Sequence, residues 1–195
     1  PKIGRPVTEA EFQTYIHGRN MGEILVYFFS RPFSREETDA LEEEKESLYR
    51  ALCLASPDFA LAPGLPEFLD ALREREIPRN IATASALPNV RFFFEHLPLG
   101  RWFDPDLVVY TDGSLPGTPA PDLYLAAAAR IGADIRACTV FEDATPGIEA
   151  ARRAGARRIV GVASMQTPQA LLAHGATHAV AGYSSAEDLL RLVLS

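Results

Sequence analysis

Lysine is almost missing from this chain: of 195 residues only Lys2 and Lys45 carry an ammonium, and the remaining positive charge rests on arginine. With a formal net charge of -7 and no dense basic patch, the sequence excludes a protein that tracks a nucleic-acid backbone. Cysteine is equally scarce. Cys53 and Cys138 stand far apart, each in an apolar run, which excludes a disulfide framework and a cysteine metal cluster and predicts buried free thiols in a reducing compartment. No apolar run approaches the length of a membrane span, and the first residues lack the basic-then-apolar layout of a secretory signal. The expectation is therefore a cytoplasmic protein with no membrane partner. His96, His174 and His178 have no companions at metal-ligand spacing and are expected at the surface or in packing. Trp102, Phe103 and the run Phe92 to Phe94 lack basic neighbours, so they read as core and not as a base-stacking platform.

What is present is an ordinary globular composition, 47% hydrophobic and 23% charged, long enough for one good-sized domain or a core with a smaller insert. Two textures follow each other along the chain. Residues 8–55 read as helical. A capping box at Thr8 and Glu11 opens a first helix ending near Gly18, a second spans about 20–30 despite its aromatic, branched stretch, and a box at Ser34 and Glu37 opens a long charged third helix with Leu41, Leu48 and Leu52 on one side. Turn-rich residues 56–66 punctuate the boundary, giving a helical subdomain over 1–60 and a second unit over 61–195. There, strands at 80–83, 106–110, 137–141, 158–162 and 178–180 alternate with helices at 67–76, 88–96, 122–131, 146–154, 166–174 and 186–194. This alternation predicts an α/β fold, a Rossmann-like doubly wound parallel sheet beside a helical cap subdomain.

The chemistry concentrates where strands end. Residues 137–141 form an apolar run of β-formers, and Glu142 and Asp143 follow at its carboxyl end, the side on which open α/β sheets place ligands. Thr145 as N-cap, Pro146 at the first helical position and Gly155 at the close would frame the next helix. Two carboxylates there suit a hard divalent cation such as Mg²⁺. They equally suit a plainer role, with Asp143 capping the helix and Glu142 solvated at the surface. Upstream, residues 81–85 place Thr83 on a strand tip and Ser85 beyond it, and Asn89 lies at the next helix start, hydroxyls and free N–H groups that can hold a phosphate oxygen. Between these stretches, Pro-Ala-Pro-Asp at 119–122 restricts the backbone leading into a helix.

Taken in order, strand–Thr83, Pro-Ala-Pro-Asp at 119–122 and strand–Glu142-Asp143 followed by Gly147 and Ile148 resemble the haloacid dehalogenase superfamily, and especially its β-phosphoglucomutase-like branch. The resemblance runs from about Thr8 to the C-terminus. It implies a four-helix cap ahead of the α/β core and a Mg²⁺-dependent hydrolase acting on small phosphate monoesters, of phosphosugar phosphatase or mutase type, with a small phosphorylated metabolite as partner and a monomer or weak homodimer as the assembly. By it, Thr83 with Ala84, Ser85 and Asn89 binds the phosphoryl group, Glu142 and Asp143 hold Mg²⁺, and His17, Gly18 and Arg19 on the cap choose the substrate.

Two positions depart from the family pattern. Thr118 stands where the family carries a lysine, and a neutral hydroxyl supplies no charge to the transition state. The family's first motif, a strand ending in Asp-x-Asp-Gly that supplies the nucleophile, would precede the cap, and nothing of that kind follows Pro1. The loop at 108–114 offers an Asp and a Gly, but Tyr110 occupies the nucleophile's place and the loop reads as an ordinary strand-to-loop step. Residues 1–195 by themselves are thus expected to be inactive, and a sheet without that central strand is expected not to hold. The alternative reading is a catalytically silent homologue that acts by binding.

Overall fold

A computed structural model describes residues 3–16 and 21–195, the side chains of Glu9, Gln13 and Thr14 excepted. His17, Gly18 and Arg19, the expected substrate-choosing residues, lie outside the described residues. The chain divides into two compact units, Pro1–Phe59 and Ala60–Ser195.

The first unit is helical. The Thr8 hydroxyl accepts from the Glu11 N–H while the Glu11 carboxylate accepts from the Thr8 N–H, a reciprocal box that opens α1 (Glu9–Glu11) and the wider turn Phe12–Ile16. Arg5 also clasps Glu11, and these donors hold its carboxyl down to about 2. In α2 (Met21–Phe29) the aromatic, branched stretch is helical, with Leu25 buried and Tyr27 stacked on Tyr15 at 3.8 Å between ring centroids. The box expected at Ser34 and Glu37 opens α3 (Arg35–Ala55). Leu41 is half-buried, but Leu48 and Leu52 are 57% and 61% exposed, so the leucine stripe does not pack as one face.

The second unit carries α4 (Leu65–Glu74), β1 (Ala82–Ala86), α5 (Leu87–His96), β2 (Val109–Thr111), α6 (Asp122–Arg130), β3 (Thr139–Glu142), α7 (Thr145–Ala154), β4 (Arg158–Val162), α8 (Pro168–Ala173), β5 (His178–Val180) and α9 (Ala186–Leu194). All strand pairs are parallel, but they form two pieces, β1-β2 and β3-β4-β5. Among the described residues β1 and β3 each keep one edge without a strand partner. Packing covers both faces of β3. Val140 points into a core with Ile148 and Ala151 of α7 and Leu171 of α8, whereas Phe141 points to the opposite face, where Phe68 and Leu72 of α4 meet Leu189 of α9. That period-two alternation buries β3 on both faces.

One helix ties the two pieces together. On α6, Leu123 and Ala127 pack with Val109 over the first piece, while Tyr124, one step round the helix, packs on the Val140–Ile148 core of the second. Asn80 adds a clamp, its amide donating to the carbonyls of Leu107 and Ala127.

Gly64 precedes α4 in the left-handed conformation at φ 81°, and a Cβ there would stand 2.2 Å from the Tyr183 carbonyl oxygen. Both the backbone strain and the clash with a main-chain atom must be relieved in any larger residue. Gly64→Ala is expected to destabilise the unit by about 2 kcal/mol or more, lowering the melting temperature by roughly 4–8 °C. A circular-dichroism melt checks this, and an unchanged transition would contradict the contact.

Other expectations divide. Trp102 and Phe92 are core, with the Trp102 ring N–H donating to Asp70 at 2.8 Å. His96, His174 and His178 are exposed. Cys53 and Cys138 are free but half-buried, not buried: Cys53 lies inside α3 between exposed Leu52 and Leu54, and Cys138 follows the turn at 135–137. Among the described residues no helix is long and apolar enough to cross a membrane.

Candidate active site

Glu142 ends β3 and its carboxylate turns back onto the first turn of α7. One oxygen accepts from the Ala144 N–H at 3.1 Å, and the other accepts from the Tyr124 hydroxyl at 2.8 Å. The space it fills is the space of an absent side chain, since a Cβ on Gly147 would lie 2.3 Å from the Glu142 carboxyl carbon. Burial pushes the Glu142 carboxyl above its ordinary range, against the pull of those two hydrogen bonds, and burial beside Glu142 likewise raises the Tyr124 phenol. The solvated-surface alternative for Glu142 is thereby corrected.

Asp143 is the exposed member of the pair, and its carboxylate accepts from the Ser164 hydroxyl at 2.7 Å. It does not cap α7. The N-cap is Ala144, with no side-chain bond, and Thr145 sits one position inside the helix, where its hydroxyl donates to the Gln166 side chain at 3.2 Å. The expected Thr145 cap fails because the helix begins one residue earlier than expected, which puts Thr145 itself in the first turn. Among the described residues no arginine or lysine forms an ion pair with Glu142 or Asp143. They open on a cleft of 620 Å³ at the carboxyl ends of β3 to β5, lined by Leu65, Phe141, Val162 and Tyr183. Burial pushes the Tyr183 phenol up to about 12, which keeps it neutral there.

This donor set fits a hard divalent cation in chemistry, since its atoms are carboxylate oxygens with one exposed carboxylate unpaired. It is incomplete in number. Among the described residues no three His, Cys, Asp or Glu side chains cluster to hold a metal, leaving the pair to cover part of a six-oxygen shell.

The phosphate-side residues lie on the other sheet piece. Thr83 is inside β1 and not at its tip: Ala82 pairs with Val109 and Ala86 with Thr111, so the strand bulges between them. The cause is local. The Thr83 hydroxyl accepts the Ser85 N–H at 3.1 Å, removing that donor from the ladder and bowing Ala84 outward, exposed. Asn89, in the first turn of α5, is 5% exposed and is the buried polar side chain of this core. Thr118 is half-buried in the segment before α6. Among the described residues no hydrogen bond joins Thr83, Ser85 or Thr118 to the Glu142-Asp143 pair. Sequence reading missed Tyr124, whose only signal was a tyrosine two residues after Asp122, and it used Gly147 only as part of the family pattern, not for the room it leaves Glu142.

The sequence pattern of haloacid dehalogenase-like hydrolases matches residues 4–155. A phosphorylated carbohydrates phosphatase of Thermotoga maritima is 31% identical over 137 residues, covering 70% of this chain and 60% of that protein. Among solved structures, a haloacid dehalogenase hydrolase of family IA, variant 3, from Entamoeba histolytica superposes with a TM-score of 0.89 at 35% identity, covering 98% of this chain and 86% of the other. A putative β-phosphoglucomutase from Thermotoga maritima gives a TM-score of 0.68 at 28% identity over 99% of this chain and 87% of its own. The chain spans about 60% of the length of the curated phosphatase it matches. With the strand–Glu-Asp–helix site in place and most of its length matched, the chain belongs to the haloacid dehalogenase-like hydrolases, alongside the β-phosphoglucomutase-like branch.

Proposed function

We propose that this protein hydrolyses phosphate monoesters of small sugars with Mg²⁺ held by Asp143 and Glu142, in the cytoplasm and as a monomer or weak homodimer. The observation that carries the reading is the half-buried Glu142, fixed by two hydrogen bonds, beside an exposed Asp143 at the end of β3, with no arginine or lysine pairing with either among the described residues. The Thermotoga phosphatase acts, by its name, on phosphorylated carbohydrates, which supports the substrate class. Bound Mg²⁺ would neutralise phosphoryl charge as the ester breaks. The chain's own residues would do the rest of the holding: Thr83, Ala84, Ser85 and Asn89 the phosphoryl oxygens, Thr118 a neutral contact, His17 and Arg19 the sugar.

An Asp-x-Asp-Gly strand encoded ahead of Pro1 would supply the nucleophile. Its carboxylate would bond to phosphorus as the sugar oxygen leaves with a proton, and water would then release phosphate and restore the carboxylate. The edges of β1 and β3 that lack strand partners are suited to such a strand. Residues 1–195 alone are expected to release no phosphate. A silent binding homologue is the second reading, favoured by Thr118 in the lysine's place. Phosphate release from a panel of sugar phosphates, nucleotides and an aryl phosphate tests the proposal on the protein translated from its whole reading frame. Turnover highest on sugar phosphates is expected; binding of sugar phosphates without turnover would favour the silent homologue.

A further inference from the structure

Tyr124 does more than fill the seam between the two sheet pieces. Its ring packs on the core under β3 while its hydroxyl donates to a Glu142 carboxylate oxygen at 2.8 Å, and α6 carries it from the far side of that seam. The second Glu142 oxygen is fixed by the Ala144 N–H, and the carboxyl carbon rests where a Gly147 side chain would begin. Three independent elements, α6, the turn after β3 and the first turn of α7, thus fix one carboxylate in one orientation. A carboxylate on a free rotor would lose conformational freedom on meeting a cation; one already clamped has less to lose.

We propose that Tyr124 is a positioning residue for divalent-cation binding: its hydroxyl, with Gly147 leaving the room, presets Glu142 so that the pair with Asp143 is arranged before the cation arrives. The inference rests on the reading of Asp143 and Glu142 as the cation site. It does not require that Tyr124 touch the metal. Gly147 makes a separate prediction possible, because the atoms a new Cβ would strike belong to the end of the flexible Glu142 side chain and not to the backbone. Alanine there would swing the carboxylate off its donors at little cost to the fold, and helix propensity would offset part of that cost.

The test is Mn²⁺ affinity, read from the electron paramagnetic resonance of free Mn²⁺, alongside melting in chelator. It uses the protein translated from its whole reading frame, as wild type, Tyr124→Phe, Gly147→Ala and Asp143→Asn. Tyr124→Phe and Gly147→Ala are each expected to weaken Mn²⁺ binding by about 10–100-fold. Melting of Gly147→Ala in chelator should stay near wild type, which separates positioning from general damage. If wild type and Asp143→Asn bind Mn²⁺ equally, or neither binds, the cation site itself is misassigned and the positioning role falls with it. If wild type binds, Asp143→Asn does not, and both Tyr124→Phe and Gly147→Ala bind as wild type, the site stands and the positioning role is overturned.

Discussion

Thr118→Lys is expected to raise phosphate release by roughly a hundredfold or more in a protein that also carries an Asp-x-Asp-Gly strand ahead of Pro1. Phosphoryl transfer is accelerated mainly by placed charge, and a threonine hydroxyl contributes a dipole where an ammonium would contribute a full charge. Removing one preorganised donor commonly costs about 2.7–4 kcal/mol of barrier, so restoring one has that much to recover. Thr118 is half-buried in the segment that leads into α6, and no described hydrogen bond is lost on replacing it. The check is kcat at saturating sugar phosphate. An unchanged kcat would mean that the segment at 117–121 does not face the transferring group.

Asp143→Asn should have the second large effect, removing Mg²⁺-dependent stabilisation altogether and lowering turnover by at least about a hundredfold. Asparagine keeps the shape and one oxygen for the Ser164 hydroxyl, so the fold should survive. It drops the charge a hard cation needs. Wild type at 100 times its Mg²⁺ dissociation constant gains about 2.7 kcal/mol, or roughly 5–10 °C in melting temperature for a chain of this size. Asp143→Asn should show none of that rise. An equal rise in both proteins would place the cation elsewhere.

Much of the fold was legible because its causes are local or periodic. The box at Ser34 and Glu37 needs only two side chains three residues apart, and β4 at Arg158–Val162 is a run of β-formers with the predicted ends. Strand ends governed by short-range competition were harder. Residues 135–137 and 105–107 tighten into turns because Asp134 and Asp104 accept the N–H groups of Arg136 and Asp106, which shortens β3 and β2 from the expected spans. The same competition, from the Thr83 hydroxyl, bulges β1.

The candidate site shows a sharper division. That Glu142 and Asp143 follow a strand is visible in sequence order; that one is half-buried and clamped and the other exposed is not. Their difference comes from Tyr124, 18 residues upstream, and from the empty side-chain position at Gly147. Contacts of that kind depend on how α6 lies across the two sheet pieces, which no local pattern encodes.

The central claim is that the carboxylate pair at the end of β3 serves metal-dependent phosphate hydrolysis. Its most direct test is phosphate release from a sugar phosphate by the protein translated from its whole reading frame, first with Mg²⁺, then after chelation, then with Mg²⁺ restored. Release that stops in chelator, returns with Mg²⁺ and is absent from Asp143→Asn throughout is the result predicted here. Release that continues in chelator, or that Asp143→Asn sustains at the wild-type rate, would contradict it.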